Sequence, residues 1–441
     1  MDGSQSSSDS HGHGHDHDID DNVFKTLTLN SNDSNETAGT PTRKSITGIP
    51  GSVSKDILAK DWGQWGHLTE SQEAMLREFI VEADKVQLEA ARYSVETIEQ
   101  VCLRYLRARR FDKVKSLALL SECYQKMIEL GAAEAAQLNG DENAQCDVEA
   151  LKNYYPHTIY GFDRMGRPVL FEHTGGMVPN AIMQMTTKRF MVNYHWWTME
   201  TVLDEKFKEA LKIKMAKEGI TDPSQARLDN FGTCAVLDMK GFGMIHVCQK
   251  MMDQCKTLVG IDNICYPEML GKMFVINAPW LVLQTWNIVK GWLDIRTQEK
   301  ICILGSGPDM TSKLLEVIPP ETLPVEYGGT GPNLFSRKDN VDFVTIPRGG
   351  SLKKSFTVQP GHGCHIDSYA FDGNIDVLVE VSSAGSTKEL SRKTITITEK
   401  DIRERLLLTY PSTSEQQTFH VTWSSPSRFN TRQLAYVFTQ K

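Results

Sequence analysis

Acidic residues come closest in this sequence to a pattern for acid–base chemistry. Asp163, Asp238 and Asp294 stand near the predicted ends of strands or helices, where two of them could form a carboxylate pair. We find no histidine or metal ligand at a spacing that would complete a catalytic site. The Gly-Ser-Gly turn at residues 305–307 lacks the lysine of a phosphate loop, so it does not predict nucleotide binding. The sequence therefore predicts a protein that is not an enzyme.

Clustered histidines near the amino terminus are the first candidate metal ligands. Imidazoles that alternate with Gly and Asp at such close spacing could chelate a transition metal, and here they are His11, His13, His15 and His17. Residues 1–65 are rich in Ser, Asp and other small polar residues, which predicts a disordered tail. We favour a low-complexity tail with incidental affinity, and we interpret the Gly-His-Gly-Cys-His run at 361–365 as the start of a strand. We predict no metal site and no cofactor.

The composition is that of a soluble globular protein with more than one core. Of the 441 residues, 40% are hydrophobic and 24% are charged, and a chain of this length is expected to form two or three domains. The net charge of −8 excludes the global basic field of a nucleic-acid-binding protein. The cysteines include no Cys-x-x-Cys pair, which indicates reduced thiols. Because no signal peptide or long apolar run is found, the chain is predicted to be cytoplasmic.

One predicted helix differs from the others because it is apolar around most of its circumference. It follows an Asn-Ala-Pro turn, and its large apolar residues include Leu281, Val282, Trp286, Val289, Trp292 and Leu293. A helix of this composition either lies in a core or covers apolar material.

Changes in hydrophobic periodicity divide the chain after the tail into three parts. Apolar residues at three- and four-residue steps predict a helical unit over residues 70–130. Over residues 145–330, short apolar runs at 168–171, 231–237, 273–276 and 301–304 alternate with helices, which predicts an α/β fold with a mostly parallel sheet. Over residues 338–441, short alternating segments predict an all-β sandwich. The strands expected there lie near residues 366–371, 375–381, 393–397, 419–423 and 434–438.

Several motifs resemble, in the same order, those of the CRAL-TRIO lipid-transfer family. They are the run from Leu103 to Asp112, Gly-Arg-Pro-Val at 166–169, Leu-Asp-Met-Lys-Gly at 237–241, Tyr-Pro-Glu at 266–268, Asn-Ala-Pro at 277–279 and Leu-Pro-Val-Glu-Tyr-Gly-Gly at 323–329. The carboxyl-terminal segment is similar to a GOLD domain, and the combination resembles the supernatant-protein-factor and tocopherol-associated branch of the phosphatidylinositol-transfer relatives. The resemblance implies non-enzymatic binding of a membrane lipid and its transfer or presentation between membranes.

The resemblance also implies a headgroup site for phosphatidylinositol. Arg109 or Arg110 and Lys300 would neutralise the phosphate. Thr297 would donate a hydroxyl, and Glu268 would accept inositol hydroxyls or orient a cation. In the family, a mobile gate covers the apolar pocket, and the apolar helix described above stands at the position of that gate.

The pocket for a second lipid departs from the family pattern. Relatives that also carry phosphatidylcholine use tyrosine hydroxyls and a Ser-x-Thr strand pair, whereas the matching residues here are Leu170, Thr198, Thr233 and Ala235. Only Thr233 keeps a hydroxyl on the strand. Because a buried phosphate without donors is costly, we predict a more apolar second ligand, such as a sterol, tocopherol or another isoprenoid lipid.

An adaptor or trafficking protein without lipid exchange is the alternative function. A GOLD domain implies a protein partner, and the Lys-rich stretch at 206–217 could dock an acidic partner or an anionic membrane. We favour a solvated helix face for that stretch. The resemblance further implies vesicle trafficking and transient, peripheral contact with Golgi or endosomal membranes. No nucleic-acid partner is predicted.

Overall fold

The computed structural model describes the chain from Trp62 onwards, with gaps. The described residues are 62–131, 138, 148, 151–152, 154–179, 182–183, 186, 188–229, 231–335, 341–370, 373–383, 386–395 and 405–440. The four histidines of the predicted disordered tail lie outside these ranges. Trp62, which falls within the tail predicted for residues 1–65, is packed, with its ring 5.4 Å from the Phe111 ring and 4.8 Å from Arg296 Cζ.

Four helices form the amino-terminal unit. They are α1 Glu70–Glu82, α2 Lys85–Ala91, α3 Ile98–Ala108 and α4 Lys113–Leu130. Polar caps fix where α3 and α4 begin, since the Thr97 side chain accepts from the Gln100 amide and the Asp112 side chain from the Lys115 amide. Between these two helices, Arg110 and Phe111 form a tight turn with φ values of 54° and 59°.

A five-stranded sheet forms the centre of the next part, in the order β1-β2-β3-β4-β5. The strands are β1 His157–Phe162, β2 Pro168–Glu172, β3 Thr233–Asp238, β4 Leu270–Ile276 and β5 Ile301–Ile303. β1 pairs with β2 antiparallel, and the other pairs are parallel. The strands are rich in apolar residues because helices cover both faces of the sheet.

Helices follow the strands in the order expected for parallel pairs. They are α5 Lys188–Trp197, α6 Leu203–Glu218, α7 Gln249–Cys265, α8 Trp280–Val289, α9 Ile295–Glu299 and α10 Pro308–Val317. α6 and α7 share a core with the amino-terminal helices. The Lys-rich stretch lies on α6, where Lys206, Lys208 and Lys214 each pair with a nearby carboxylate.

The three candidate acid–base residues have separate structural partners. Asp163 accepts from the Arg167 guanidinium, with Oδ2 to Nη2 at 2.6 Å. Asp238 accepts from the Tyr327 hydroxyl at 3.0 Å, and Asp294 caps α9. None of these contacts joins two of the carboxylates, so the structure assigns them to holding loops and helix ends.

Two four-stranded antiparallel sheets make up the carboxyl-terminal part, in the orders β10-β9-β12-β7 and β11-β8-β13-β6. Their strands are β6 Val341–Ile346, β7 Ser351–Val358, β8 Cys364–Ala370, β9 Ile375–Ser383, β10 Ser386–Ile395, β11 Arg405–Tyr410, β12 Gln417–Ser424 and β13 Arg432–Gln440. Both sheets contribute to one apolar core. In that core, the Trp423 indole donates to Ser368 Oγ at 2.9 Å, which satisfies its only polar group.

Candidate functional site

A cavity of about 1010 Å³ lies on one face of the central sheet. Side chains alternate along a strand, so Thr233, Ala235 and Leu237 of β3 face the cavity, while Cys234 and Val236 pack in the core that includes residues of α10. Apolar side chains from the helices complete the wall, among them Met191, Met251, Leu258, Val282, Trp286 and Val289. The volume is at the upper end of the roughly 300–1,000 Å³ found for small-molecule pockets. The arrangement can enclose a long hydrocarbon ligand.

A buried carboxylate surrounded by cations lies at one end of the cavity. Glu268, just before β4, is 3.0 Å from Arg107, 3.2 Å from Arg296 and 3.1 Å from Lys300. Its side chain is only 7% exposed, and its φ of 62° places it in the left-handed region, where it directs the carboxylate toward these cations. Three cations and one carboxylate give this cluster a charge of about +2 (3 − 1). Such an excess of positive charge suits an anion.

The pKa values of this cluster reflect burial and charge together. Burial on its own raises the pKa of Glu268, but the neighbouring Arg107, Lys300 and Arg296 outweigh it and lower that pKa to about 2. Burial lowers the pKa of Lys300, because Glu268 only partly offsets the loss of water. Glu268 is therefore ionised near neutral pH and holds the three cations in place.

Four of the five predicted headgroup residues lie on the cavity wall. They are Arg109, Glu268, Thr297 and Lys300. Arg110 is exposed and lies outside that wall, because α3 has already ended and the chain turns at positive φ. Its assignment to the headgroup stays a prediction.

The sequence analysis did not identify two cations of the cluster, Arg107 and Arg296. Both residues contact Glu268 but do not line the cavity. They therefore position the carboxylate that in turn contacts Lys300. A sequence signal for Arg107 did exist. The Asp112 cap places the end of α3 near Ala108, so Arg107 belongs to the last helical turn, where its direction is fixed.

Three of the four residues predicted for the second lipid line the cavity, and the fourth does not. Leu170, Thr233 and Ala235 face the cavity from neighbouring strands, with Leu170 paired opposite Ala235. Thr198 is absent from the wall, since it begins a short π-helical turn and its hydroxyl donates to the Tyr194 carbonyl at 2.8 Å. The Thr233 hydroxyl makes only a long contact of 3.4 Å to the Met269 carbonyl. It is therefore the hydroxyl among these four positions that remains available to a ligand.

The apolar helix is shorter than the sequence predicts. α8 ends at Val289, a single 3₁₀ turn covers Lys290–Trp292, and Leu293 is extended before the Asp294 cap of α9. Val282, Trp286, Val289 and Leu293 line the cavity, whereas Leu281 and Trp292 do not. On the opposite face of α8, Trp280 is 55% exposed and Leu283 is 49% exposed. One side of this helix closes the cavity, and the other presents large apolar side chains to solvent.

A second polar cluster on the cavity wall was also missed. The Tyr155 hydroxyl donates to Glu172 Oε2 at 2.7 Å, and the Thr174 hydroxyl donates to Glu172 Oε1 at 2.7 Å. All three residues face the cavity. The signal in the sequence was weak, because Glu172 closes an apolar strand and resembles a polar strand end.

In the part of the chain that the structure describes, no helix is both long enough and apolar enough to cross a bilayer. The same part contains no group of three or more His, Cys, Asp or Glu side chains arranged to hold a metal ion.

Known proteins match the part of the chain that contains most of this cavity. Residues 152–329 match the model of the CRAL/TRIO domain. The chain is 32% identical over 270 residues to the Sec14 cytosolic factor of Schizosaccharomyces pombe. That alignment covers 60% of this chain and 85% of the yeast protein. It is 34% identical over 227 residues to the phosphatidylinositol/phosphatidylcholine transfer protein SFH9 of Arabidopsis thaliana, over 52% of this chain and 36% of that protein. The chain belongs to the CRAL-TRIO family of Sec14-like proteins.

A solved structure is similar at lower identity. The crystal structure of Sfh5 aligns with a TM-score of 0.39 and 16% identity, over 54% of this chain and 78% of that chain.

Replacing Glu268 is expected to destabilise the fold. In Glu268→Gln, three buried cations lose their counter-charge, and breaking a buried ion pair on one side costs about 3 kcal/mol or more. In the wild type the carboxyl pKa is lowered to about 2, so the stability it contributes is complete above the unfolded pKa and is lost as pH falls through about 4.5 to 2. Denaturant unfolding should therefore show a gap between the two proteins that is widest near pH 6 and narrows in acid. A gap independent of pH would contradict this electrostatic account.

Proposed function

We propose that this protein binds phosphatidylinositol and a second hydrophobic lipid in the cavity and transfers or presents them between membranes, without catalysis. The observation that carries the proposal is a large apolar cavity with a cationic cluster at one end. The names of the relatives in fission yeast and Arabidopsis support it, since SFH9 is a phosphatidylinositol/phosphatidylcholine transfer protein. In this proposal Lys300 and Arg109 neutralise the phosphate, Thr297 donates a hydroxyl and Glu268 orients Lys300.

The energetics of lipid transfer require such a cavity. A two-chain phospholipid carries about 30 methylenes, and exposing them at about 0.8 kcal/mol each costs on the order of 25 kcal/mol. A carrier must therefore enclose the chains and open only at a bilayer. We propose that α8 is the moving cover, because its cavity side is apolar and its outer side carries Trp280 and Leu283. We also propose that the carboxyl-terminal sandwich is a GOLD domain that contacts a protein partner.

Mass spectrometry of lipid that purifies with the protein tests the proposal. The expected result is close to one lipid per chain, with phosphatidylinositol among the species. A protein that purifies from cells without stoichiometric lipid would favour the adaptor function. Two controls set the background of adventitious lipid. One is a solvent blank, and the other is an unrelated protein that does not carry lipid, purified in parallel.

A further inference from the structure

The cavity has a second polar end, formed by Tyr155, Glu172 and Thr174, which the phosphatidylinositol site does not use. Glu172 closes β2 and pairs with Leu237 of β3, whereas Thr233 of β3 pairs with Leu270 next to the Glu268 cluster. The four residue steps from Thr233 to Leu237 separate the two ends by about 13 Å along the strands. The cavity therefore has one polar cluster at each end, with the cations around Glu268 at the amino ends of its parallel strands and Glu172 with its two hydroxyl donors at their carboxyl ends.

The Glu172 end is unsuited to a phosphate. No ion pair of Glu172 with a cation is found among the described residues, and both of its oxygens accept hydrogen bonds from neutral hydroxyls, those of Tyr155 and Thr174. Burial raises the pKa of the Glu172 carboxyl, although the two hydroxyl donors favour its ionised form. Lys188 and Lys250 also line the cavity, but both are exposed and neither pairs with Glu172. A phosphate in contact with Glu172 would therefore meet a carboxyl group without a buried counter-charge, which is costly in an apolar cavity.

A choline or ethanolamine headgroup is also disfavoured. A carboxylate beside an aromatic ring can attract a quaternary ammonium, but that ammonium arrives with its own phosphate only a few bonds away. The cavity-facing neighbours of Glu172 along β2 and β3 are Leu170, Ala235 and Leu237, which have no hydrogen-bond donors in their side chains. Among the described residues, the wall offers the anionic half of a zwitterionic headgroup one unpartnered buried donor, Gln254 Nε2, which is neutral.

A single hydroxyl matches the groups that are present. Glu172 keeps lone pairs beyond those used by Tyr155 and Thr174, so it can accept from a ligand O–H. Gln254 Nε2, also on the cavity wall, is a buried donor without a hydrogen-bond partner among the described residues. The nearby wall contains Met177, Ile182 and Met183, which suit a bulky hydrocarbon. We propose that Tyr155, Glu172 and Thr174 form a subsite for the hydroxyl group of a neutral lipid alcohol.

This subsite deepens the proposed function, because it specifies the chemistry of the second lipid. The hydroxyl lies at the Glu172 end, and the hydrocarbon fills the apolar middle of the cavity toward α8. Phosphatidylinositol uses the opposite end, with its phosphate near Lys300. Both ligands occupy the apolar middle, so they compete for one cavity although their polar groups bind about 13 Å apart along the strands.

Pairs of ligands that differ only in the hydroxyl test the subsite. The probes are α-tocopherol and dehydroergosterol, which are fluorescent, and the methyl ether of each, which cannot donate a hydrogen bond. We expect the wild type to bind each alcohol at least tenfold more tightly than its ether. In Glu172→Leu this preference should fall to about twofold or less, whereas Glu172→Gln, which keeps an acceptor oxygen, should retain most of it.

Tyr155→Phe provides a second variant that removes one hydroxyl and keeps the ring. It should lower the preference for the alcohols about threefold, because Glu172 loses one of the two donors that orient it. Transfer of labelled phosphatidylinositol should stay within twofold of wild type in every variant, which also shows that each variant is folded.

The outcomes separate this subsite from the proposed function. An unchanged alcohol preference in Glu172→Leu, or equal binding of alcohols and ethers by the wild type, overturns the subsite while phosphatidylinositol transfer can remain intact. Loss of phosphatidylcholine binding in Glu172→Leu, in parallel with the alcohols, overturns the choice of a neutral alcohol. A protein that prefers the alcohols through Glu172 yet never binds phosphatidylinositol supports the subsite and contradicts the proposed headgroup site.

Discussion

The Lys300→Ala variant is expected to transfer phosphatidylinositol at least 30-fold more weakly than the wild type. Lys300 faces the cavity and is mostly buried, with its ammonium 3.1 Å from Glu268. Its loss reduces the charge of the Glu268 cluster from about +2 to about +1 and leaves the proposed phosphate site with Arg109 but without its lysine. Removing one partner of a desolvated charge pair costs roughly 2 kcal/mol or more, which corresponds to about 30-fold. Transfer of labelled phosphatidylinositol between vesicles is the measurement.

A matched lysine variant separates the headgroup effect from a general loss of charge. Lys313 lies on α10, outside the cavity wall, and forms an exposed ion pair with Glu316, so Lys313→Ala removes the same group without changing the cavity lining. It should transfer phosphatidylinositol as the wild type does. Because Glu268 keeps Arg107 and Arg296 in Lys300→Ala, that variant should still unfold cooperatively. Wild-type transfer by the double variant Lys300→Ala, Arg109→Ala would sink the headgroup assignment.

Hydrophobic pattern predicted strands of the central sheet and the central strands of the sandwich. The apolar runs predicted strands at 168–171 and 301–304, and the structure has Pro168–Glu172 and Ile301–Ile303 there. In the carboxyl-terminal sandwich, the central strands β8, β9, β12 and β13 were all anticipated. Their inward side chains are deeply buried, as Val377, Val421 and Leu434 illustrate, so the alternation in the sequence is strong.

The strands of the sandwich that the pattern missed are all edge strands, although the strand expected near residues 393–397 overlaps a fourth edge strand, β10. β6, β7 and β11 were not predicted, and each lies at the edge of its sheet. β7 shows the reason, because its exposed residues include Lys353, Lys354 and Ser355. Charged residues on an edge strand discourage pairing with other chains, but they also weaken the hydrophobic signal. The information that these segments are strands lies in their partners, β12, β13 and β8, and not in the segments themselves.

The candidate site shows the same difference between information carried by a segment itself and information carried by its partners in the fold. Arg109, Thr297, Glu268 and Lys300 were accessible through motif resemblance, which carries position along the chain. Resemblance did not indicate that Arg107 and Arg296 would converge on Glu268, since that depends on where α3 ends and how α9 packs beside β4. The role of Glu172 was hidden for a related reason. Only the fold shows that a residue at the end of β2 lines the cavity together with Tyr155 and Thr174.

The outward face of α8 is expected to govern binding to membranes. Trp280 and Leu283 are exposed there, while Val282 and Trp286 of the same helix line the cavity. Inserting a large apolar side chain into a bilayer interface gains roughly 1.5–3 kcal/mol, and Trp is favoured at that depth. The double variant Trp280→Asp, Leu283→Asp should therefore bind neutral phosphatidylcholine vesicles at least tenfold more weakly in a sedimentation assay.

Gln284→Asp is the matched control for that experiment, because Gln284 is an exposed polar residue on the same helix. It adds a negative charge without removing an apolar side chain, so it should bind vesicles nearly as the wild type does. Trp286→Asp places its charge on the cavity side and should also weaken vesicle binding if α8 moves as a unit and exposes that side at the bilayer. The double variant and Trp286→Asp should both remain folded and show a cooperative thermal unfolding transition, since the substituted side chains are at least partly exposed. Vesicle binding that is unchanged in the double variant, or global unfolding of Trp286→Asp, would show that α8 is a fixed cover of the core and that the cavity opens elsewhere.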